Sequence, residues 1–147
     1  MNNRFTNLFT TLSVFLLVVL FVYTASDKLW NMSEFQRFLL SLQWIGPAGK
    51  LLAWTIPLLE LLISVLLLVP LSRRVGLLSA FILMISFTSY LVLMKLFGSN
   101  VPCHCGGVIS ELTWLQHIWL NVALIVMSGL ALLWYAKGQQ TTFKNTV

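Results

Sequence analysis

Four long apolar runs constrain this chain more than any other feature of it. A bilayer span needs about 20 mostly apolar residues, and the stretches at about 8–26, 51–69, 75–97 and 113–136 meet that requirement. Each is bounded by charge or by a helix breaker. Arg4 precedes the first and Asp27-Lys28 closes it, while Lys50 and Pro70 bracket the second. Arg73-Arg74 opens the third, Lys95 and Gly98 close it, and Lys137-Gly138 ends the fourth. Hydrophobic residues make up 59% of the chain and charged ones only 9%, against about 25% charged in a soluble domain. So many apolar side chains exceed what one soluble core can bury. The 147 residues therefore read as a single four-span membrane domain, an all-α integral membrane four-helix bundle.

The net charge of +5 does not indicate nucleic-acid binding, because the nine Lys and Arg residues sit mostly at the ends of the apolar runs. Cationic side chains there reach headgroups and set topology, and no basic stripe offers a path for a phosphate backbone. The residues before Asp27, Tyr23-Thr24-Ala25-Ser26, make a poor small-x-small cleavage site, so the first run reads as an uncleaved span rather than a signal peptide. Four spans put both termini on one side. The Arg73-Arg74 pair in a very short loop is the strongest orientation signal and is assigned to the cytoplasm. The expectation is a multi-pass protein of a bacterial inner membrane with both termini cytoplasmic and the loop after the third span in the periplasm.

The first extracytoplasmic loop holds a short helix. Ser33 followed by Gln36 has the spacing of a capping box. Phe35, Phe38, Leu39 and Leu42 then repeat at helical intervals, giving one apolar face. Such a helix lies on the membrane surface or caps the bundle over the loop that follows the third span. Trp30, Trp44, Trp54, Trp114 and Trp119 gather on this side and Trp134 and Tyr135 on the other, as an aromatic belt does.

Both cysteines lie in that later loop, in Val101-Pro102-Cys103-His104-Cys105-Gly106-Gly107. Thiols one residue apart form a disulfide only in a tightly turned backbone, so the ring would be strained and readily reduced, which is the character of exchange-active disulfides. His104 between them, when protonated, favours the thiolate, the nucleophilic form. Two other readings compete. One is an inert disulfide bracing the loop, although so small a ring removes little unfolded-state entropy. The other is a metal site of Cys103, His104, Cys105 and His117, with Glu111 nearby, although the spacing is tighter than the usual zinc pair.

Glu60, in the middle of the second run and three residues after Pro57, is the other candidate. An acid at that depth is costly and marks function by default. Ala53, Pro57, Glu60 and Ser64 share one helical face, which is expected to point inward. Glu60 could carry a proton, anchor a quinone head group, pair with a Lys such as Lys28, or fix helix packing as a protonated acid. In the fourth run, Trp114, His117, Asn121 and Ser128 form a polar stripe. His117 near the outer end could accept or deliver a proton during thiol exchange, with a satisfied structural histidine as the competing reading. Asn121 reads as interhelical glue, and Ser79, Ser86 and Tyr90 of the third run as packing.

With these residues assembled, the chain resembles the MauE/DoxX family of redox-associated four-helix membrane proteins. The likeness runs from about Tyr23 to Leu133. It rests on Ala25-Ser26-Asp27-Lys28-Leu29 at the end of the first span and on the short helix with Phe35 and Phe38. It also rests on Ile56-Pro57-Leu58-Leu59-Glu60, like the family's Pro-x-x-Glu, and on Cys103-His104-Cys105-Gly106-Gly107, like the MauE branch's Cys-x-Cys-x-Gly. Gly106 stands where the family often has Phe. The resemblance implies periplasmic thiol-disulfide handling. In the methylamine-utilisation branch this means helping disulfide formation in a secreted enzyme, together with a thioredoxin-like partner.

The expectation is thus a membrane-embedded thiol-disulfide redox protein working on a thioredoxin-like periplasmic protein or a cysteine-containing client. Cys103, Cys105, His104, His117 and Glu60 form its working set, with a quinone as electron carrier and no nucleic acid involved. The alternative is a non-enzymatic membrane anchor or assembly protein whose Cys-x-Cys loop binds a metal or is structural.

Overall fold

The structure, a computed structural model, describes residues 3–41, 48–97 and 114–144. Among them all regular structure is helical: α1 (Asn3–Trp30), α2 (Met32–Ser41), α3 (Gly49–Leu68), α4 (Arg73–Phe97) and α5 (Trp114–Lys144). The four long helices are each long and apolar enough to cross a membrane. They close into a ring in which α1 packs on α3, α3 on α4, α4 on α5 and α5 on α1. The large apolar side chains left outside, such as Leu8, Phe15, Leu62 and Val126, face outward on the long helices, as lipid-facing positions do. The chain is a four-helix membrane bundle with a short amphipathic helix after the first span, as its sequence implies.

α1 buries Thr10, Ser13, Val14, Leu17, Phe21, Thr24, Ala25 and Lys28, a repeat of three and four that puts one face on the bundle axis. Small and hydroxyl-bearing residues on that face let neighbouring backbones approach. The core of one half of the bundle packs Val14, Leu17 and Phe21 of α1 against Ile63 and Leu67 of α3, Leu77, Ala80 and Met84 of α4, and Ala131 of α5.

Residues 69–72 turn α3 directly into α4. Val69 takes an extended conformation, which the following Pro70 favours. The last carbonyls of α3 do not go unmet: Ser72 Oγ donates to Leu66 O at 3.0 Å and Arg73 Nε to Leu67 O at 3.3 Å. Gly76 sits so close to α3 that a Cβ would lie 2.8 Å from the Leu67 backbone nitrogen. The same end is tied to α5 by the Tyr135 hydroxyl, which donates to Pro70 O at 3.1 Å. Trp134 meets the Phe9 ring edge-on at 4.8 Å between centroids.

Two local details depart from expectation. α1 does not end near residue 26 but runs through Asp27 and Lys28 to Trp30, because Lys28 turns into the bundle and is paired there instead of marking the water boundary. α2 begins at Met32, so Ser33 lies inside the helix and is not its cap. Asn31 does the capping with its backbone: its N–H donates to Asp27 O, closing α1, and its carbonyl accepts from the N–H groups of Glu34 and Phe35, opening α2. Its side-chain amide also donates to Asp27 Oδ1 at 3.1 Å. α2 then lays Phe35, Phe38 and Leu39 against Ala53 of α3. Contact is close at Gly49, where a Cβ would stand 3.2 Å from the Leu39 and Leu40 backbone. Leu42 lies outside the described residues.

Candidate functional site

The candidate site is assembled from the second half of α1, the middle of α3, the second half of α4 and the first turns of α5. The inward face read from Ala53, Pro57, Glu60 and Ser64 is observed, and all four side chains are buried. Pro57 lacks the N–H that would bond to residue 53, but α3 continues through it. One turn on, the Ser64 hydroxyl donates back to Glu60 O at 2.9 Å.

Glu60 is only 1% exposed, and Lys28 is 7% exposed. Lys28 Nζ donates to Glu60 Oε1 at 2.7 Å, a length typical of a charge-assisted hydrogen bond. Lys28 can reach because a helical side chain leans towards the helix N-terminus, here down into the bundle. Its ammonium also lies 5.5 Å from the centroid of the Phe87 ring, a cation–π placement. An acid and a base that would each be costly alone in the apolar interior thus neutralise one another.

The pair faces a cavity. About 770 Å³ of empty space, open surroundings included, is lined by residues of α1, α2, α3, α4 and α5. Its apolar wall includes Phe21, Phe35, Phe38, Met84 and Phe87; its polar wall is Thr24, Lys28, Glu60, Tyr90, His117 and Asn121. Two oxygens on that wall, Glu60 Oε2 and the Tyr90 hydroxyl, are buried and have no hydrogen-bond partner among the described residues. The Thr24 hydroxyl is turned to its own helix, donating to Phe21 O at 3.3 Å.

Of the side chains singled out from the sequence, the structure brings together Glu60 and His117, with Lys28 as the acid's partner. Asn121 is buried on the same cavity wall, so it bounds open space as well as a helix contact. Ser128, further along that stripe, donates to Ile125 O of its own helix at 3.0 Å. Cys103, His104, Cys105 and Glu111 lie outside the described residues. Sequence reasoning passed over Tyr90 as packing, and Phe87 altogether. The signal was present in their spacing, since Met84, Phe87 and Leu91 recur at three and four residues and Tyr90 sits one turn beyond Phe87. On α4 the serine stripe does not hold, because Ser86 is exposed and donates to Ile82 O of its own helix.

Fold and site together define a multi-pass membrane bundle with a buried acid–base pair on an intramembrane cavity. The family model described as methylamine utilisation protein MauE matches residues 6–135, and the chain belongs to that family. This bears out the resemblance drawn from the motifs. Comparison with curated proteins and with solved structures gives no match.

Proposed function

We propose that this MauE-family protein is a membrane-embedded thiol-disulfide redox protein of a bacterial inner membrane. In this reading Cys103 and Cys105 face the periplasm and exchange with a thioredoxin-like protein or a cysteine-containing client. The observation that carries the reading is the buried Lys28–Glu60 pair on an open cavity. It lies in the half of the bundle that holds the end of α1, the end of α4 and the start of α5, and the chain between those last two helices carries both cysteines. A purely mechanical anchor has no need of a buried charge pair beside unfilled space.

The exchange is a two-electron step. A partner thiolate attacks the Cys103–Cys105 disulfide, that S–S bond breaks and a mixed disulfide forms. The partner's second thiol then closes the partner's own disulfide, so Cys103 and Cys105 gain two electrons and two protons. His104 favours the thiolate form during exchange. His117, half-buried on the cavity wall in the first turns of α5, moves protons.

Thiol trapping of the purified protein across a glutathione series tests this. A potential above about −200 mV is expected, the range of oxidants and isomerases. A value below about −300 mV marks a structural bridge and leaves the assembly-anchor reading, as does a stoichiometric metal ion held by the reduced protein. In cells, Cys103→Ser and Cys105→Ser should each lower client disulfide content; unchanged clients in both variants sink the proposal.

A further inference from the structure

We propose that the cavity beside Lys28 and Glu60 is a binding site for the head group of a membrane quinone, held by the Tyr90 hydroxyl and Glu60 Oε2. The proposal deepens the thiol-redox reading and depends on it only for the source of the electrons.

Three observations converge on this ligand class. First, the site lies within spanning helices, and its wall is largely apolar and aromatic, with Phe21, Phe35 and Phe38 beside the Tyr90 ring. A ligand arriving from the bilayer suits it better than one arriving from water. Second, its charges are already matched. Lys28 is taken by Glu60 Oε1 and by the Phe87 face, so a phosphate, carboxylate or ammonium head group would find no free counter-charge. A neutral head group meets no such penalty.

Third, two buried oxygens on the wall stand unpartnered among the described residues, and they ask for opposite things. The Tyr90 hydroxyl can donate, whereas the ionised Glu60 Oε2 can only accept. A head group that presents a carbonyl in one redox state and a hydroxyl in the other can satisfy both. The quinone carbonyl accepts from Tyr90, and the quinol hydroxyl donates to Glu60. Leaving a buried polar atom unmade is costly, so a ligand of this kind relieves a cost the empty site carries.

The electron count closes. When Cys103 and Cys105 form their disulfide, two S–H bonds break, one S–S bond forms, and two electrons and two protons leave. The quinone's two carbonyl oxygens take up those two electrons and two protons and become the hydroxyls of the quinol. The quinone is the oxidant, and no further reactant is required.

The test uses the full chain in lipid nanodiscs, stripped of endogenous quinone and titrated with decylubiquinone and with menadione by calorimetry. Saturable micromolar binding of at least one of them is expected. Tyr90→Phe keeps the ring and removes only the unpartnered hydroxyl, so it should weaken binding about tenfold, the loss of one hydrogen bond. Leu91→Trp, which fills the cavity, should abolish binding while the helical circular dichroism spectrum is unchanged. The proposal is overturned if neither quinone saturates, if Tyr90→Phe binds as tightly as the parent, or if oleate displaces the quinone at equal concentration, which would make the space an acyl-chain cavity. The double variant Cys103→Ser/Cys105→Ser keeps the two ideas apart. Undiminished quinone binding by that variant is expected here. Quinone binding in a protein whose cysteines prove dispensable for clients would sink the thiol reading and leave the site standing.

Discussion

The two ends of this bundle solve the same packing problem in opposite ways. At the end where α3 turns into α4, the helices close on one another completely. Gly76 admits the α3 backbone, Leu67 and Leu77 are fully buried, and the Tyr135 hydroxyl reaches across to Pro70 O. Towards the other end the four long helices and α2 line a cavity, with a Lys–Glu pair and two oxygens that are unpartnered among the described residues on its wall. Apolar contacts and backbone-directed hydrogen bonds suffice for the closed end. Charge and open space at the other end add nothing to packing that more leucine would not provide, which is why function is sought there.

Mutations at the two ends should therefore behave differently. The largest effect is expected from Lys28→Met, which strands the Glu60 carboxylate in the bundle and should cost about 3–5 kcal/mol. Adding Glu60→Leu should restore most of it. Reversible unfolding in mixed micelles measures both, and a double variant no more stable than the single one would mean that the pair is not the unit supposed here. Next comes Leu67→Ala at the closed end, with a loss of about 2 kcal/mol, the low end for such truncations because packing alone is lost in lipid. Leu91→Ala, beside existing space, should cost clearly less; equal losses would show that the cavity end is as tightly packed as the other. Gly76→Ala should cost about 1–3 kcal/mol, because its Cβ meets α3 backbone that cannot move aside.

The smallest contrast is the most diagnostic. Tyr135→Phe gives up a hydrogen bond between an α5 side chain and the α3–α4 turn and should cost about 0.6 kcal/mol. Tyr90→Phe removes a hydroxyl that has no partner among the described residues and should leave stability unchanged or slightly raised. A destabilised Tyr90→Phe protein would show that this hydroxyl already has a structural bond.

The closed end was the more legible one in the sequence. Apolar runs, the Arg73-Arg74 pair and Pro70 place the helices and their short turn by length and composition alone. Glu60 and its face were legible too, because an acid amid leucines has few ways to exist. What the sequence hid is tertiary. Lys28 was legible as one of several partners for Glu60, but its place beside Asp27 at the end of the run also fits a boundary marker, and it is the structure that turns it inward to meet an acid 32 positions away. Tyr90 looks like any aromatic in a span, since nothing local distinguishes a hydroxyl facing a cavity from one facing a neighbour. Asn31 was missed as the α2 cap because Ser33 and Gln36 offered a more familiar pattern.

Asn31 has a further consequence. It closes one helix and opens the next, so the joint between α1 and α2 contains no slack. Adding or deleting a single residue there would rotate α2 by about 100° relative to α1, one step of a helix with 3.6 residues per turn. Phe35, Phe38 and Leu39 would swing off Ala53, and the wall they give the cavity would go with them. Length at this point is therefore under the kind of constraint usually met only in side-chain identity. The joint should accept many substitutions and no insertion.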